Sequence, residues 1–167
     1  LSKIIQKTDD GFFKLNKKYF KHFKSGVAMD WENGEPKIDL LFTKQWEVLF
    51  WSARKMGDDI KQFHIDLATS IQRFTEQMIF YILTKLQRKT GLVNLCITGG
   101  VAQNSVANGK ILSHTPFEKL YVPSAGHDAG TSIGSALYLY NHILQKDRLP
   151  EIKTAYFGRK SSEAEII

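Results

Sequence analysis

An apolar stripe in the middle of the chain limits the fold more than any other feature. Ile60, Phe63, Leu67, Ile71, Phe74, Met78, Ile82 and Leu86 recur at spacings of three and four. At 3.6 residues per turn these side chains fall on one side of a helix. The spacing predicts one long helix over about 58–89, closed at its C-terminal end by Gly91. A helix with a single apolar face needs cover from other elements. The composition agrees, with 43% hydrophobic and 24% charged residues. Those fractions are globular and exclude a disordered, collagen-like or coiled-coil chain.

The elements around the stripe set the fold class. Residues 1–11 read as a helix remnant running into the turn Asp9-Asp10-Gly11. Residues 12–23 read as extended, with two short strands about Asn16-Lys17-Lys18, and 27–31 as a third strand. Asn33-Gly34-Glu35-Pro36 is a turn signal. Thr43 offers an N-cap to a short helix that aligns Trp46, Leu49 and Phe50. After the long helix come a buried strand over 92–98, a break at Gly99-Gly100, and a helix over 101–112. A second strand over 119–122 is closed by Pro123. A loop over 124–128 leads to a helix over 130–145 that aligns Ile133, Leu137, Tyr140 and Leu144. Helix, strand, helix, strand, helix implies a parallel strand pair with helix cover. The expected fold is therefore α/β: antiparallel strands followed by an αβαβα segment, the pattern of a ribonuclease-H-like half-domain. One folded unit is expected over 1–148, with 149–167 as a linker.

Charge and cysteine content narrow the function classes. The net charge is +6, which raises nucleic acid as a partner. The densest basic stretch sets Lys14, Lys17, Lys18, Lys21 and Lys24 among Phe12, Phe13, Tyr19, Phe20 and Phe23. It contains no arginine, the better bidentate phosphate ligand. The favoured reading is strands with aromatic residues inward and lysines in water, so nucleic acid is not an expected partner. No apolar run reaches about 18 residues, so no membrane span is expected. A single cysteine, Cys96, excludes a disulfide framework and a cysteine-rich zinc site, and its apolar neighbours predict an inert core thiol. The chain starts at Leu1 without a signal-like segment. The expectation is a cytoplasmic chain cut from a longer one.

Ligands of open α/β sheets bind beyond the carboxyl ends of the strands. Two loops qualify. The first is Thr98-Gly99-Gly100-Val101, where paired glycines let backbone approach a ligand and a helix start favours an anion. It is neither a P-loop nor a G-x-G-x-x-G motif, and a plain tight turn explains it equally well. The second is the loop over 124–131, where Asp128 precedes a helix rich in small residues (Gly130, Ser132, Gly134, Ser135, Ala136). An aspartate there is most simply an N-cap. His64, Asp66, Gln72, Glu76 and His127 are weaker candidates, and His22, His114 and His142 stand alone.

Three stretches carry a resemblance to a known family. They are HIDLATSIQRFTE over 64–76, NLCITGGVAQNSVANGK over 94–110, and HDAGTSIGSALY over 127–138. In this order they resemble the ATP-dependent O-carbamoyltransferases, the group of the nodulation-factor and antibiotic carbamoyltransferases. The likeness runs over roughly 9–160, and Ala155-Tyr156-Phe157-Gly158 resembles the family's approach to its next domain. Two departures are Ser124, where the family usually has proline, and His127, where it usually has a small residue.

The resemblance implies an actin-like, sugar-kinase-like ATPase fold, of which this chain would be the second ribonuclease-H-like half. The first lobe and a C-terminal domain would belong to the rest of the same chain. It implies that ATP and carbamoyl phosphate give carbamoyl-adenylate, whose carbamoyl group passes to the hydroxyl of a small molecule. Gly99, Gly100 and Asn104 would lie at the nucleotide. Asp128 would ligate a divalent metal, iron or similar. The family's paired histidines are missing, since no H-x-x-x-H occurs here, and one aspartate does not make a metal site. The isolated chain is expected to be inactive. Alternatives are a tRNA threonylcarbamoyl-transferring or other actin-fold nucleotide enzyme, and a non-catalytic basic binding module.

Overall fold

The computed structural model describes residues 1–38, 40–150, 152, 154–156, 158 and 160–166. They form two units, Leu1–Lys89 and Thr90–Ile167. The linker expected over 149–167 lies partly outside the described residues, Phe157 of the Ala155-to-Gly158 stretch included.

The first unit opens with an antiparallel hairpin of β1 (Ile5–Lys7) and β2 (Phe13–Leu15), in register Ile5 to Leu15 and Lys7 to Phe13. Residues 1–11 are thus a strand and turn, not the helix remnant the sequence suggested. The turn decides this. Gly11 has φ +91°, which a side chain resists, and the Thr8 carbonyl accepts from the Gly11 N–H at 3.1 Å. The Asp10 carboxylate accepts from the Thr8 hydroxyl and from the Phe12 N–H. Those bonds, the Thr8 hydroxyl first, hold the Asp10 carboxyl below its usual range. A lone helical turn has no such closure and is unstable.

Only one of the two strands expected over 12–23 forms. Asn16 accepts from the Lys18 N–H at 3.2 Å and caps a 3₁₀ turn, Lys17–Tyr19. Phe20 keeps a single bridge to Phe42, and α1 (His22–Ser25) follows. The side-chain cap offers the backbone an alternative to the ladder. β3 (Met29–Glu32) and β4 (Glu35–Ile38) make a second hairpin. Asn33 and Gly34 have φ +54° and +81°, the positive pair of a two-residue hairpin turn. α2 (Gln45–Phe50) starts where Thr43 Oγ1 accepts from the Gln45 N–H at 3.3 Å.

The stripe forms α3 (Gln62–Thr90), with Arg88 and Lys89 in its last turn and Gly91 at φ +69° beyond it. Cations and a left-handed glycine both suit a helix C-terminus. The helix starts later than the periodicity suggests. Asp58 closes a turn on Lys55, accepting from its N–H at 2.9 Å, so Ile60 lies before the helix and is exposed. Met78, Leu83 and Glu76 are buried, with Ile4 and Tyr19. Ile71 and Leu86 are exposed, so the stripe is covered in its middle and not at every position. The first hairpin is tied to α3: the Tyr81 hydroxyl donates to the Thr8 carbonyl at 2.6 Å.

The second unit pairs β5 (Asn94–Cys96) with β6 (Lys119–Tyr121) in parallel. The helix expected over 101–112 is broken into a 3₁₀ turn, Gly100–Gln103, then α4 (Ser105–Asn108) and α5 (Ile111–His114). Asn104, at ψ +86°, leaves the helical region and accepts from the Ala107 N–H at 3.0 Å. Asn108 donates to the Ala102 carbonyl at 2.7 Å. α6 (Gly130–Tyr138) runs into a π-helical turn, Leu139–Ile143. Leu95, Ala102, Ala107, Ile111 and Phe117 are this unit's buried apolar side chains among the described residues. The observed fold is mixed α/β with small antiparallel and parallel sheets, as the residue pattern implied. Among the described residues no helix is long and apolar enough to cross a membrane.

A Cβ at position 11 would meet Lys85 Cβ at 2.8 Å, on a backbone already at positive φ. Gly11→Ala is expected to cost roughly 1–3 kcal/mol, read as a lower denaturant midpoint with an unchanged slope. Asp10, with its lowered pKa, stabilises the hairpin above the normal carboxylate range and loses that effect as pH falls through the lowered value. Asp10→Asn should therefore flatten the acid side of the stability–pH curve.

Candidate functional site

The parallel pair fixes where the two sequence-selected loops sit. β5 and β6 are adjacent and run the same way, in register Asn94 to Lys119 and Cys96 to Tyr121. The Ile97 N–H donates to the Tyr121 carbonyl at 3.1 Å and prolongs the ladder. The chain then leaves both strands at the same end of the sheet. Thr98-Gly99-Gly100 follows β5, and the loop over 122–129 follows β6.

One carbonyl joins the loops. Gly126 O accepts from the Gly99 N–H and from Thr98 Oγ1, the latter at 2.7 Å. Gly126 is buried. A Cβ there would meet Gln103 Nε2 at 3.0 Å and the Pro123 carbonyl at 3.2 Å. Gly130 is packed harder still, because a Cβ there would overlap the Ala125 carbonyl oxygen. Both glycines are demanded by the fit of the loop. Gly126 and Thr98 had no assigned role in the sequence, since a joint made by a main-chain carbonyl leaves no residue-type signature.

The nominated residues divide into committed and uncommitted groups. Gly99, at φ +99°, turns the chain out of the strand, and its N–H is used by Gly126. The Asn104 carboxamide oxygen caps α4. Gly100 is different: its φ is ordinary and a Cβ would meet nothing within 4 Å. Neither strain nor packing among the described residues requires glycine at 100. Asp128 is exposed. Its carbonyl accepts from the Thr131 N–H and hydroxyl, at 3.1 and 2.6 Å. Among the described residues its carboxylate accepts no hydrogen bond from the start of α6, where His127 Nδ1 accepts from the Ala129 N–H instead. The capping role, the simplest sequence explanation of this aspartate, is therefore removed.

A cavity of about 340 Å³ opens beside the joint, lined by Cys96, Thr98, Tyr121, Pro123, His127 and Thr131 among others. Its size is at the lower end for small-molecule sites. Cys96 is exposed and faces this space. The expectation of a core thiol fails because strand residues alternate, and Leu95 takes the buried side. The His127 ring accepts from the Ala129 N–H at 3.3 Å.

The weaker candidates other than His127 belong to Leu1–Lys89 and are locally engaged. His64 Nδ1 accepts from the Lys61 N–H at 2.9 Å, and Asp66 accepts from Gln62 at 2.9 Å. Buried Glu76 accepts from Gln72 at 2.9 Å. Among the described residues no three His, Cys, Asp or Glu side chains are grouped to hold a metal ion. Asp128 alone does not meet the ligand count of a metal site.

A family model described as carbamoyltransferase N-terminus matches residues 1–137. The chain belongs to that family. It is 35% identical over 108 residues, 63% of its length, to the nodulation protein NolO of Bradyrhizobium diazoefficiens. It is likewise 35% identical over 105 residues to the nodulation protein NolNO of Sinorhizobium fredii. A Synechocystis protein is 32% identical over 171 residues, 99% of this chain. The chain spans 26%, 19% and 15% of the Synechocystis, NolO and NolNO proteins respectively. The family's carbamoyltransferase description agrees with the resemblance carried by the two loops.

The two kinds of glycine should separate in stability measurements. Gly130→Ala is expected to cost roughly 1–3 kcal/mol, because backbone has to move. Gly100→Ala should stay within about 0.5 kcal/mol of the parent. Urea titration of both variants checks the pair.

Proposed function

We propose that this chain carries half of the nucleotide and metal cleft of an O-carbamoyltransferase with an actin-like ATPase fold. In this reading ATP, carbamoyl phosphate and water yield carbamoyl-adenylate, pyrophosphate and phosphate, and the carbamoyl group then passes to a small-molecule hydroxyl with release of AMP. The observation that carries it is the joint at Gly126, which sets the Gly-Gly loop and the Asp128 loop side by side at the carboxyl ends of parallel strands. Family membership supports carbamoyl transfer as the chemistry.

The roles follow from what each residue has free. Gly100 offers open backbone at a turn start, where an adenylate phosphate can approach without a side chain in the way. Gly99 and Asn104 hold that turn in shape through their own bonds. Thr98 and His127 border the cavity beside it. Asp128 presents an anionic oxygen pair in water. With no further His, Cys, Asp or Glu grouped around it among the described residues, those residues do not fit a complete metal site. Asp128 is then one contribution to a centre whose other ligands come from outside this chain. A half-built centre does not position two substrates, so the isolated chain is inactive.

In the complete enzyme that carries this segment, Asp128→Ala and Gly100→Val should each lower carbamoyl transfer by roughly two orders of magnitude or more. The measurement is release of AMP with carbamoylated product from ATP and carbamoyl phosphate. Unchanged activity in both variants refutes the site. Turnover by these 167 residues alone refutes the half-cleft.

A further inference from the structure

The lysines of the N-terminal unit are not arranged as the sequence pattern suggested. On two strands they would alternate into open water. Instead the 3₁₀ turn Lys17–Tyr19 and α1 coil the chain. Lys17, Lys18, Lys21 and Lys24 then surround one hollow of about 710 Å³, with Ser25, Thr43 and Gln45 on its wall and Phe20 beside them. Lys14 stays on β2, outside it. Among the described residues the lining contains four formal positive charges and no carboxylate. Among the described residues none of the four lysines is in an ion pair.

The hollow is held from behind. The Lys21 N–H donates to the Leu41 carbonyl at 2.9 Å, and Thr43 Oγ1 donates to the Lys18 carbonyl at 2.8 Å. Trp46 Nε1 donates to the Tyr19 carbonyl at 2.9 Å. Phe20 packs edge-on against Phe23 and Trp46, with ring centroids 6.2 Å apart in each case. The backbone carrying the lysines is therefore fixed, and Lys17 Nζ lies over the Phe23 ring, 5.4 Å from its centroid. Gathering four like charges around one concavity raises their mutual repulsion. An anion that enters it offsets this, beyond what water and salt already screen.

We propose that this hollow binds a small ligand bearing two or three adjacent phosphates. Its volume fits a small molecule. Lysines, as compact point charges, suit clustered phosphate oxygens and do not need the planar fork of arginine. A nucleic-acid groove would instead run the charges along a track with stacking faces in line. These residues belong to Leu1–Lys89, whereas Gly99, Gly100 and Asp128 belong to Thr90–Ile167. Binding here is expected to survive Asp128→Ala unchanged.

Tripolyphosphate is the probe, titrated into the 167-residue chain by calorimetry at low and moderate salt. The triple variant Lys17→Gln/Lys21→Gln/Lys24→Gln should bind roughly tenfold more weakly. A charge-matched variant at exposed positions elsewhere, Lys55→Gln/Lys89→Gln/Lys160→Gln, should bind within about twofold of the parent. Lysine acetylation of the unmodified chain, mapped by mass spectrometry, gives a readout free of folding effects. Tripolyphosphate should protect Lys17, Lys18, Lys21 and Lys24, and leave Lys55, Lys89 and Lys160 unprotected. Equal weakening in both variants, or no protection, overturns the proposal. So does preferential binding of single-stranded oligonucleotide with protection spread along the chain, which assigns the lysines to nucleic acid.

Discussion

Three-residue strands make a weak platform, and what turns two strand ends into one site is a single acceptor. The Gly126 carbonyl takes hydrogen bonds from the Gly99 N–H and the Thr98 hydroxyl. Without it, each loop would be free to swing from a short ladder. With it, the turn after β5 and the loop after β6 move together. The two glycines around it, Gly126 and Gly130, are small because the loop folds onto its own carbonyls. The chemistry proposed for Gly100 and Asp128 depends on that main-chain joint more than on any side-chain contact.

Much of this was legible beforehand because it rests on periodicity and strand direction. The stripe from Phe63 to Leu86 gave α3, and Gly91 gave its end. Alternation of helix and strand gave the parallel pair, and so the end of the sheet where ligands belong. Non-local and side-chain-to-backbone effects were not legible. Residues 5–7 look helical in isolation and become a strand only because 13–15 pair with them. Asn104 and Asn108 look like ordinary helix residues until their carboxamides compete for the backbone and break the helix. Cys96 looks buried until Leu95 takes the inward side of the strand.

The lysine stretch illustrates the same limit in electrostatic terms. Sequence order sets Lys17, Lys18, Lys21 and Lys24 at intervals of one, three and three, and on a strand that spacing spreads the charges over both faces in water. A cap at Asn16 and one turn of helix change the spacing in space but not in sequence. Charge becomes informative only when the backbone curvature is known, because mutual repulsion depends on distance. The net charge of +6 is therefore less telling than four of its charges around one hollow.

The clearest separation of fold from function comes from asking what each site residue is required for. Gly99 is required by its positive φ, Gly126 and Gly130 by close packing, and Asn104 by a helix cap. Replacing any of them disturbs the loops, so their presence is explained before any ligand is considered. Gly100 and Asp128 have no such explanation. One leaves open space where a side chain would fit, and the other leaves an ionised carboxylate that caps nothing. A folded chain gains little stability from either. Both lie on the two loops held together at Gly126. Residues that the fold does not require, placed by residues that it does, are where a ligand is expected to make its contacts.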